Sequence, residues 1–328
     1  MMDWTDRHCR YFLRGFAPHV LLYTEMITAA ALVRGDRERL LEFHPEEHPL
    51  ALQLGGSDPE QLAAAARAGE AAGYDEINLN CGCPSERVVS GSFGACLMRE
   101  PSLVAECVAA MRAAVGVPVT VKMRIGVVSG GGTRAAELLS GFSAEDKEEL
   151  WRFTAQVKAV GCEVFIVHAR KAVLGGLSPK ANREVPPLRY DVVRELRAGF
   201  PQLTWVVNGG LRQPRDIVEA LAWCDGVMLG REAYHRPYVL AQLEQHLHPD
   251  TPVPTRAALI ERMQRYIAIE MARGSRLSPI TRHMLGLYAG EPGARDYRRT
   301  LSEGARDPRA NADLLSRAAH AAQAHAAL

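Results

Sequence analysis

Short apolar runs separated by longer stretches of helical periodicity recur from about residue 20 to residue 230. The runs predict strands at Val20–Glu25, Leu50–Leu54, Glu76–Leu79, Val117–Met123, Val164–Val167, Leu203–Val207 and Gly226–Leu229. Helical patterns lie between them over Asp58–Ala72, Pro101–Val115, Ala144–Val160, Asp191–Ala198 and Pro214–Ala222. Asp58-Pro59 and Gln213-Pro214 supply helix-start chemistry, and Gly73, Gly116 and Gly161 stop helices. Regular alternation of strand and helix predicts a parallel sheet. Beyond a Pro-rich linker, Pro249–Pro254, the pattern is helical only, near Arg256–Arg273, Pro279–Tyr288, Ala294–Ser302 and Pro308–Ala326.

Seven strands are one fewer than a (β/α)8 barrel requires. Residues Met1 to Arg7 read as the loop that follows a strand, which places the missing element upstream of Met1 in an N-terminally truncated sequence. The expected fold is therefore an α/β TIM barrel lacking its first strand, over residues 1–248, followed by a small all-α domain over 255–328. Gly126–Phe142 interrupts the rhythm, and its Gly-Gly-Gly lacks the ordered spacing and downstream acid of a dinucleotide loop. It reads as a flexible insertion at the catalytic end of the barrel.

Composition sharpens this picture in three places. No run of about 18 apolar residues and no basic-then-apolar leader occur, so the expectation is a cytoplasmic protein without membrane contact. Seven scattered cysteines with no zinc-type spacing fit a reducing compartment and no structural metal; Cys9, Cys107, Cys162 and Cys224 read as core. The net charge of +1 hides an asymmetry. Residues 255–328 carry 12 Arg and no Lys against 7 acidic residues, or +5, while the remainder, with 27 basic and 31 acidic, carries −4. A solvated helical surface accounts for that as well as a phosphate-binding one does, although Arg suits bidentate phosphate contacts.

Polar residues collect at successive strand ends: Gln53, then Asn80 and Cys83, then Lys122 and Arg124, then His168 and Arg170, then Asn208-Gly209-Gly210, then Gly230-Arg231. A barrel places its chemistry at those ends. Gly82 and Pro84 around Cys83 set a tight, irregular backbone. The thiol there is a candidate nucleophile or proton donor, or a small buried apolar residue. The glycine-bearing ends let backbone N–H groups approach an anion, and Lys122 sets a positive charge against an electron-rich ring. A phosphorylated planar cofactor fits these features, FMN best.

The run Asn78-Leu79-Asn80-Cys81-Gly82-Cys83-Pro84-Ser85-Glu86-Arg87-Val88, continuing to Gly94-Ala95-Cys96-Leu97-Met98, resembles the signature of tRNA-dihydrouridine synthases. So do Val119–Lys122, His168–Ala172, Leu177–Glu184, Val207–Gly210 and Gly226–Arg231, and the Ser-Pro-Lys-x-Asn-Arg-Glu run is similar to the bacterial A branch, which acts at positions 20 and 20a of the tRNA D-loop. The resemblance implies a TIM barrel with a helical C-terminal domain, bound FMN, electrons from NADPH, tRNA as substrate, and a monomer. It implies Cys83 as proton donor, and FMN held by Gln53, Lys122, His168, Asn208, Gly209, Gly210, Gly230 and Arg231. It also implies tRNA contacts from Asn80, Lys180, Arg183, Arg295 and Arg298. The family's Ala-Pro-Met strand end, which lines the flavin, is represented here by Met1 alone, and the insertion at 126–142 is longer than the family's. Two other readings compete: an FMN oxidoreductase of a free small molecule, of the dihydroorotate dehydrogenase kind, and a flavin-free tRNA-binding protein.

Overall fold

The computed structural model describes residues 1–85, 91, 93–130 and 141–326. Residues 86–90 and 92 of the cysteine loop, and 131–140 of the glycine-rich insertion, lie outside the described residues. The strands are β1 (Leu22–Thr28), β2 (Leu50–Gly55), β3 (Glu76–Cys81), β4 (Val119–Arg124), β5 (Val127–Ser129), β6 (Val164–His168), β7 (Ala172–Leu174), β8 (Thr204–Asn208) and β9 (Gly226–Met228). Seven of them form one sheet in the order β1-β2-β3-β4-β6-β8-β9, parallel throughout from β2 to β9. Neighbours in the chain are neighbours in the sheet. That order, with helices on the crossovers, is the α/β arrangement of the TIM-barrel kind expected from the alternation.

The crossover helices start and stop where local chemistry directs. Pro59–Ala72 begins with the Asp58 carboxylate accepting from Gln61 N at 3.0 Å and ends at Gly73, φ 100°. Ala144–Ala159 opens on a reciprocal Ser143/Asp146 capping box. Pro101–Ala114, Tyr190–Gly199 and Pro214–Leu221 fall within one or two residues of expectation. β1 begins two residues late and runs on to Thr28, because Thr28 Oγ1 caps the next helix, Ala29–Arg34.

Three expectations need correction. Val127–Ser129 is not loop: it pairs in parallel with Ala172–Leu174, and Val128 and Val173 bury their side chains together with Leu177 packed against them. Two consecutive β-branched residues outweigh the neighbouring glycines. The helix expected over Pro279–Tyr288 instead spans Leu277–Thr281, with Pro279 in its first turn, and tightens to a 3-10 turn at Arg282–Met284. The last helix starts at Leu314 rather than Pro308.

By contacts the chain divides into two compact units, one of residues 26–42 and 50–229, the other of residues 1–25, 43–49 and 230–328. In the first, the Ile77 and Leu52 side chains pack on helix Pro59–Ala72 at Gly69. In the second, buried arginines organise the chain start. On helix Arg7–Arg14, Arg10 pairs with Glu47 at 2.6 Å, with both side chains buried. The Arg14 guanidinium donates to the carbonyls of Ala17, Pro18, Glu47 and Pro49 at 2.7–2.9 Å. Asp6 caps the helix through Cys9 N and pairs with Arg282 and His283. Burial alone would raise its pKa, but His283, the Cys9 amide and Arg282 hold it far below the usual carboxylate range. Among the described residues all seven cysteines are free, and no helix is long and apolar enough to cross a membrane.

Helices Ala294–Gly304 and Leu314–Ala326 meet at Gly293, φ 76°, where a Cβ would stand 2.1 Å from the Ala322 carbonyl oxygen. Backbone cannot yield as a flexible side chain does. Gly293→Ala is expected to cost about 2–4 kcal/mol through strain and overpacking, read as a lower urea midpoint.

Candidate active site

The site grows from an unusual pattern in β3. Its six residues alternate polar and apolar, Glu76-Ile77-Asn78-Leu79-Asn80-Cys81, yet all six are buried. With a side-chain period of two, Ile77, Leu79 and Cys81 share one face and Glu76, Asn78 and Asn80 share the other. β4 repeats this with Thr120, Lys122 and Arg124 opposite Val119, Val121 and Met123. Register places Asn78 beside Thr120 and Asn80 beside Lys122.

Burying that many polar groups requires partners, and the side chains provide them in series. Thr120 Oγ1 donates to Glu76 Oε1 at 2.7 Å, and Asn78 Nδ2 donates to Thr120 Oγ1 at 2.8 Å. Gln53 Nε2, from β2, donates to Asn78 Oδ1 at 2.9 Å, and Asn80 Nδ2 donates to Gln53 Oε1 at 2.8 Å. Asn80 Oδ1 then accepts from the backbone N–H groups of Gly82 and Cys83, both at 3.0 Å. Every amide donates toward Glu76 and accepts from the Cys83 side, so one carboxylate fixes the orientation of three amides. The last of them holds the cysteine's backbone.

Arg124, nearly fully buried, holds the same loop from the other side. Its Nε donates to Gly82 O, and its Nη1 to Lys171 O and Asn182 O, each at 3.0 Å. Asn182, in the Ser178–Glu184 run, is stitched in turn to Val173 through both its amide atoms. Cys83 itself is half-buried. Its carbonyl accepts from Ala95 N at 2.9 Å and its thiol lies 3.5 Å from the Ser85 hydroxyl. Lys122 Nζ donates to Asn208 Oδ1 at 3.2 Å, and Asn208 Nδ2 donates to Met228 O at 2.8 Å.

Among the described residues, neither Lys122 nor Arg124 faces a carboxylate. Lys122 keeps some solvent contact, but the protein packed around its ammonium, and then the Arg124 charge, bring its pKa down to about 8. Burial likewise brings Arg124 down to about 10. Two cations crowded at strand ends with no anion between them make a site for electron-rich or anionic groups.

At the end of β8, Gly209 and Gly210 have φ 107° and 74°. A Cβ on Gly209 would stand 2.4 Å from His168 Cδ2, and one on Gly210 would stand 2.2 Å from Leu188 Cδ1. The first glycine therefore makes room for the buried His168 ring, in addition to freeing backbone N–H groups. The Tyr190 hydroxyl donates to the Gly209 carbonyl.

Gln53, Asn80, Cys83, Lys122, His168, Asn208, Gly209 and Gly210 all belong to the unit of residues 26–42 and 50–229, as do Lys180, exposed, and Arg183, on a 3-10 turn. Met1, Gly230 and Arg231 belong to the other unit, where the Met1 Sδ lies 3.3 Å from the position of a Gly230 Cβ. Arg295 and Arg298 are exposed one turn apart on helix Ala294–Gly304. Much of the Arg excess in that unit is engaged internally: Arg256, Arg262, Arg273, Arg282, Arg299 and Arg309 pair with Glu291, Glu46, Glu270, Asp6, Asp296 and Asp307. Reading the strand ends misses Glu76, Asn78, Thr120 and Asn182. The polar alternation inside β3 and β4 is the signal that finds the first three.

Asn78→Ala removes the middle of the hydrogen-bonded series and leaves Gln53 and Thr120 each one partner short. It is expected to cost about 1–3 kcal/mol in urea unfolding, and to speed hydrogen exchange at the Gly82 and Cys83 amides two links away. Lys122 gives a pH signature in the cofactor-free chain. Below pH 8 the ammonium is charged in both folded and unfolded states, and its burial opposes folding in full. Between about 8 and 10.5 the unfolded chain holds a proton that the folded chain lacks, so stability rises with pH. Lys122→Met is expected to remove that rise, seen as the difference between the two proteins' urea midpoints across this window.

The chain matches the family model described as dihydrouridine synthase over residues 1–324. It is 55% identical over 303 residues to a protein of Pseudomonas syringae pv. tomato named tRNA-dihydrouridine(20/20a) synthase, covering 92% of this chain and 86% of the relative. Proteins of the same name from Synechocystis and Vibrio cholerae are 52% and 49% identical, over 98% and 97% of this chain and 92% and 93% of theirs. The site residues and these similarities point the same way: the chain belongs to the dihydrouridine synthase family.

Proposed function

We propose that this chain reduces uridine in tRNA to 5,6-dihydrouridine, at positions 20 and 20a of the D-loop, with FMN as cofactor and NADPH as electron donor. The observation that carries the reading is a half-buried thiol, Cys83, whose backbone is fixed by Asn80 and Arg124 at a strand end beside the cation Lys122. The similarity to enzymes named for this reaction supports the substrate.

The residues present fit a flavin phosphate. Among the described residues Lys122 is a cation without a carboxylate partner, Gln53 has its amide oriented by Asn78 and Asn80, and Gly209 and Gly210 expose backbone beside His168. Gln53, Lys122, His168, Asn208, Gly209 and Gly210 would hold the group. Bound and reduced, FMN supplies a hydride for carbon 6 of the uracil ring.

The protein's own task is then to deliver a proton to carbon 5 and to stabilise the negative charge spread toward the carbon 4 oxygen. Cys83 Sγ holds that proton, and general acid catalysis of this kind contributes about 10²–10⁴-fold. The positive charges of Lys122 and Arg124 favour the electron-rich transition state. Asn80 on the Gly82 and Cys83 amides and Arg124 on the Gly82 carbonyl fix the backbone that carries the thiol, which limits where a proton donor to a ring carbon can stand. The uridine must leave the tRNA stack to reach it, at a cost of a few kcal/mol. Lys180, Arg183, Arg295 and Arg298 are proposed to contribute to tRNA contacts, the arginines through phosphates.

Expression of the chain in a bacterial strain lacking its own synthases is expected to restore dihydrouridine in tRNA, measured by liquid chromatography of digested nucleosides. Cys83→Ala is expected to lose at least about 10²-fold in turnover while keeping the flavin absorbance of the purified protein. Full turnover in that variant would rule out Cys83 as the donor. No dihydrouridine from the wild-type chain would rule out the reaction.

A further inference from the structure

We propose that His19, Glu244 and His248 form a binding site for one divalent cation of the zinc, cobalt, nickel and copper class. One ligand atom from each lies within 4.8 Å of those of the other two, and all three residues belong to the unit of residues 1–25, 43–49 and 230–328. Atoms bound tetrahedrally to zinc at about 2.0–2.1 Å stand about 3.4 Å apart, so closing the site needs only rotation of side chains. The two imidazoles are exposed and free to make that rotation, while the carboxylate is buried and stationary.

The backbone beneath the three side chains is already fixed. Glu244 lies on helix Tyr238–Leu247, and His248, four residues on, caps the helix with its N–H donating to the Glu244 carbonyl at 2.7 Å. That spacing puts both side chains on one face. His19 comes from the segment before β1, where Arg14 holds the carbonyls of Ala17 and Pro18, the two residues immediately before it. The three ligands thus come from a helix end and from a loop anchored by a buried guanidinium.

The chemistry selects the ion. Glu244 is 2% exposed, and a buried carboxylate calls for a positive partner. His19 Nδ1 meets Glu244 Oε1, which a simple ion pair would explain. Beside that pair lies a second imidazole: the His248 ring has its centroid 4.2 Å from the His19 ring, inclined at 37°. Two imidazoles beside a carboxylate are a ligand set for a borderline cation, and a poor one for calcium or magnesium, which take oxygen. With three protein ligands the ion keeps one position open to water, and it staples the segment before β1 to the end of helix Tyr238–Leu247.

The test uses the tag-free full-length chain, stripped with a chelator, desalted and titrated with cobalt(II) chloride and then zinc(II) chloride. The expected result is one bound equivalent with a nitrogen–oxygen ligand-field spectrum, no thiolate charge-transfer band, and a melting temperature that rises with metal concentration. His19→Ala and His248→Ala are each expected to weaken binding at least about tenfold. In chelator His248→Ala should melt like the wild type because that side chain is exposed, whereas His19→Ala also takes the imidazole from the buried Glu244 carboxylate, melts lower, and is read by its loss of metal binding. Undiminished binding in both variants overturns the proposal. So does a thiolate band that disappears in Cys83→Ser, which would place the metal on cysteine, and so does absence of binding by the wild-type chain.

Discussion

The hydrogen-bonded series from Glu76 through Thr120, Asn78, Gln53 and Asn80 to the amides of Gly82 and Cys83 is the constraint on which the candidate site depends. A buried primary amide can be turned over by 180°, exchanging donor and acceptor, and a site built on such groups has two faces to offer a ligand. Here the series ends on a carboxylate, which in its ionised form only accepts. That forces Thr120 to donate to it and accept from Asn78, and the same polarity passes to Gln53 and Asn80. The Asn80 oxygen is left pointing at the two amides that begin the cysteine loop. An apolar interior of the same volume would be no less stable, since buried polar groups at best recover what desolvation costs them. What the series contributes is definition: one orientation of Gln53 and one position of the Cys83 backbone.

The two cations impose the complementary requirement. Lys122 and Arg124 stand on one face of one strand, two residues apart; burial and then the Arg124 charge lower the Lys122 pKa, while burial, Arg183 and Arg170 lower that of Arg124. Arg124 meets this by spreading its charge over three backbone carbonyls, a task suited to a planar fork. Among the described residues Lys122 has only the Asn208 amide oxygen. Of the two, the lysine is therefore the one with binding capacity to spare, and an anionic or electron-rich group placed against it would restore its ordinary protonation. Crowding charges of one sign costs stability in the empty protein and is recovered on binding, a pattern characteristic of functional sites.

Much of this was legible in the sequence, because strand ends concentrate polar residues for a simple reason: side chains there are neither packed between helix and sheet nor free in a loop. Gln53, Asn80, Lys122, His168 and Asn208 stand out on that basis, and of the five crossover helices three open on a proline and three are followed by Gly73, Gly116 or Gly161. The middle of the strands was harder to read. Glu76–Leu79 reads as apolar if hydrophobic residues are merely counted, whereas its alternation makes one face of a fully buried strand polar. The short strand Val127–Ser129 is invisible beside a glycine run, since its stability comes from Ala172–Leu174, more than forty residues away. The Arg excess of the last seventy residues is ambiguous for a similar reason: charge pairing is three-dimensional, and six of those arginines find carboxylates within their own unit.

Gly209 illustrates how one residue can satisfy two demands that sequence reasoning reports as one. In the sequence its absent side chain reads as an approach path for an anion to backbone N–H groups. The structure adds a nearer reason, since any Cβ there would stand against the His168 ring. His168 and Asn208 are register partners on β6 and β8, and Asn208 in turn receives the Lys122 ammonium, so the glycine, the imidazole, the amide and the ammonium form one connected layer. A side chain at 209 would push first on the imidazole, and only through it on whatever lies against Lys122. The same position thus governs backbone access and ring placement, and a change there would disturb the layer before it disturbed the fold, because the strands beneath it are held by their own ladder and by the buried series under Asn80.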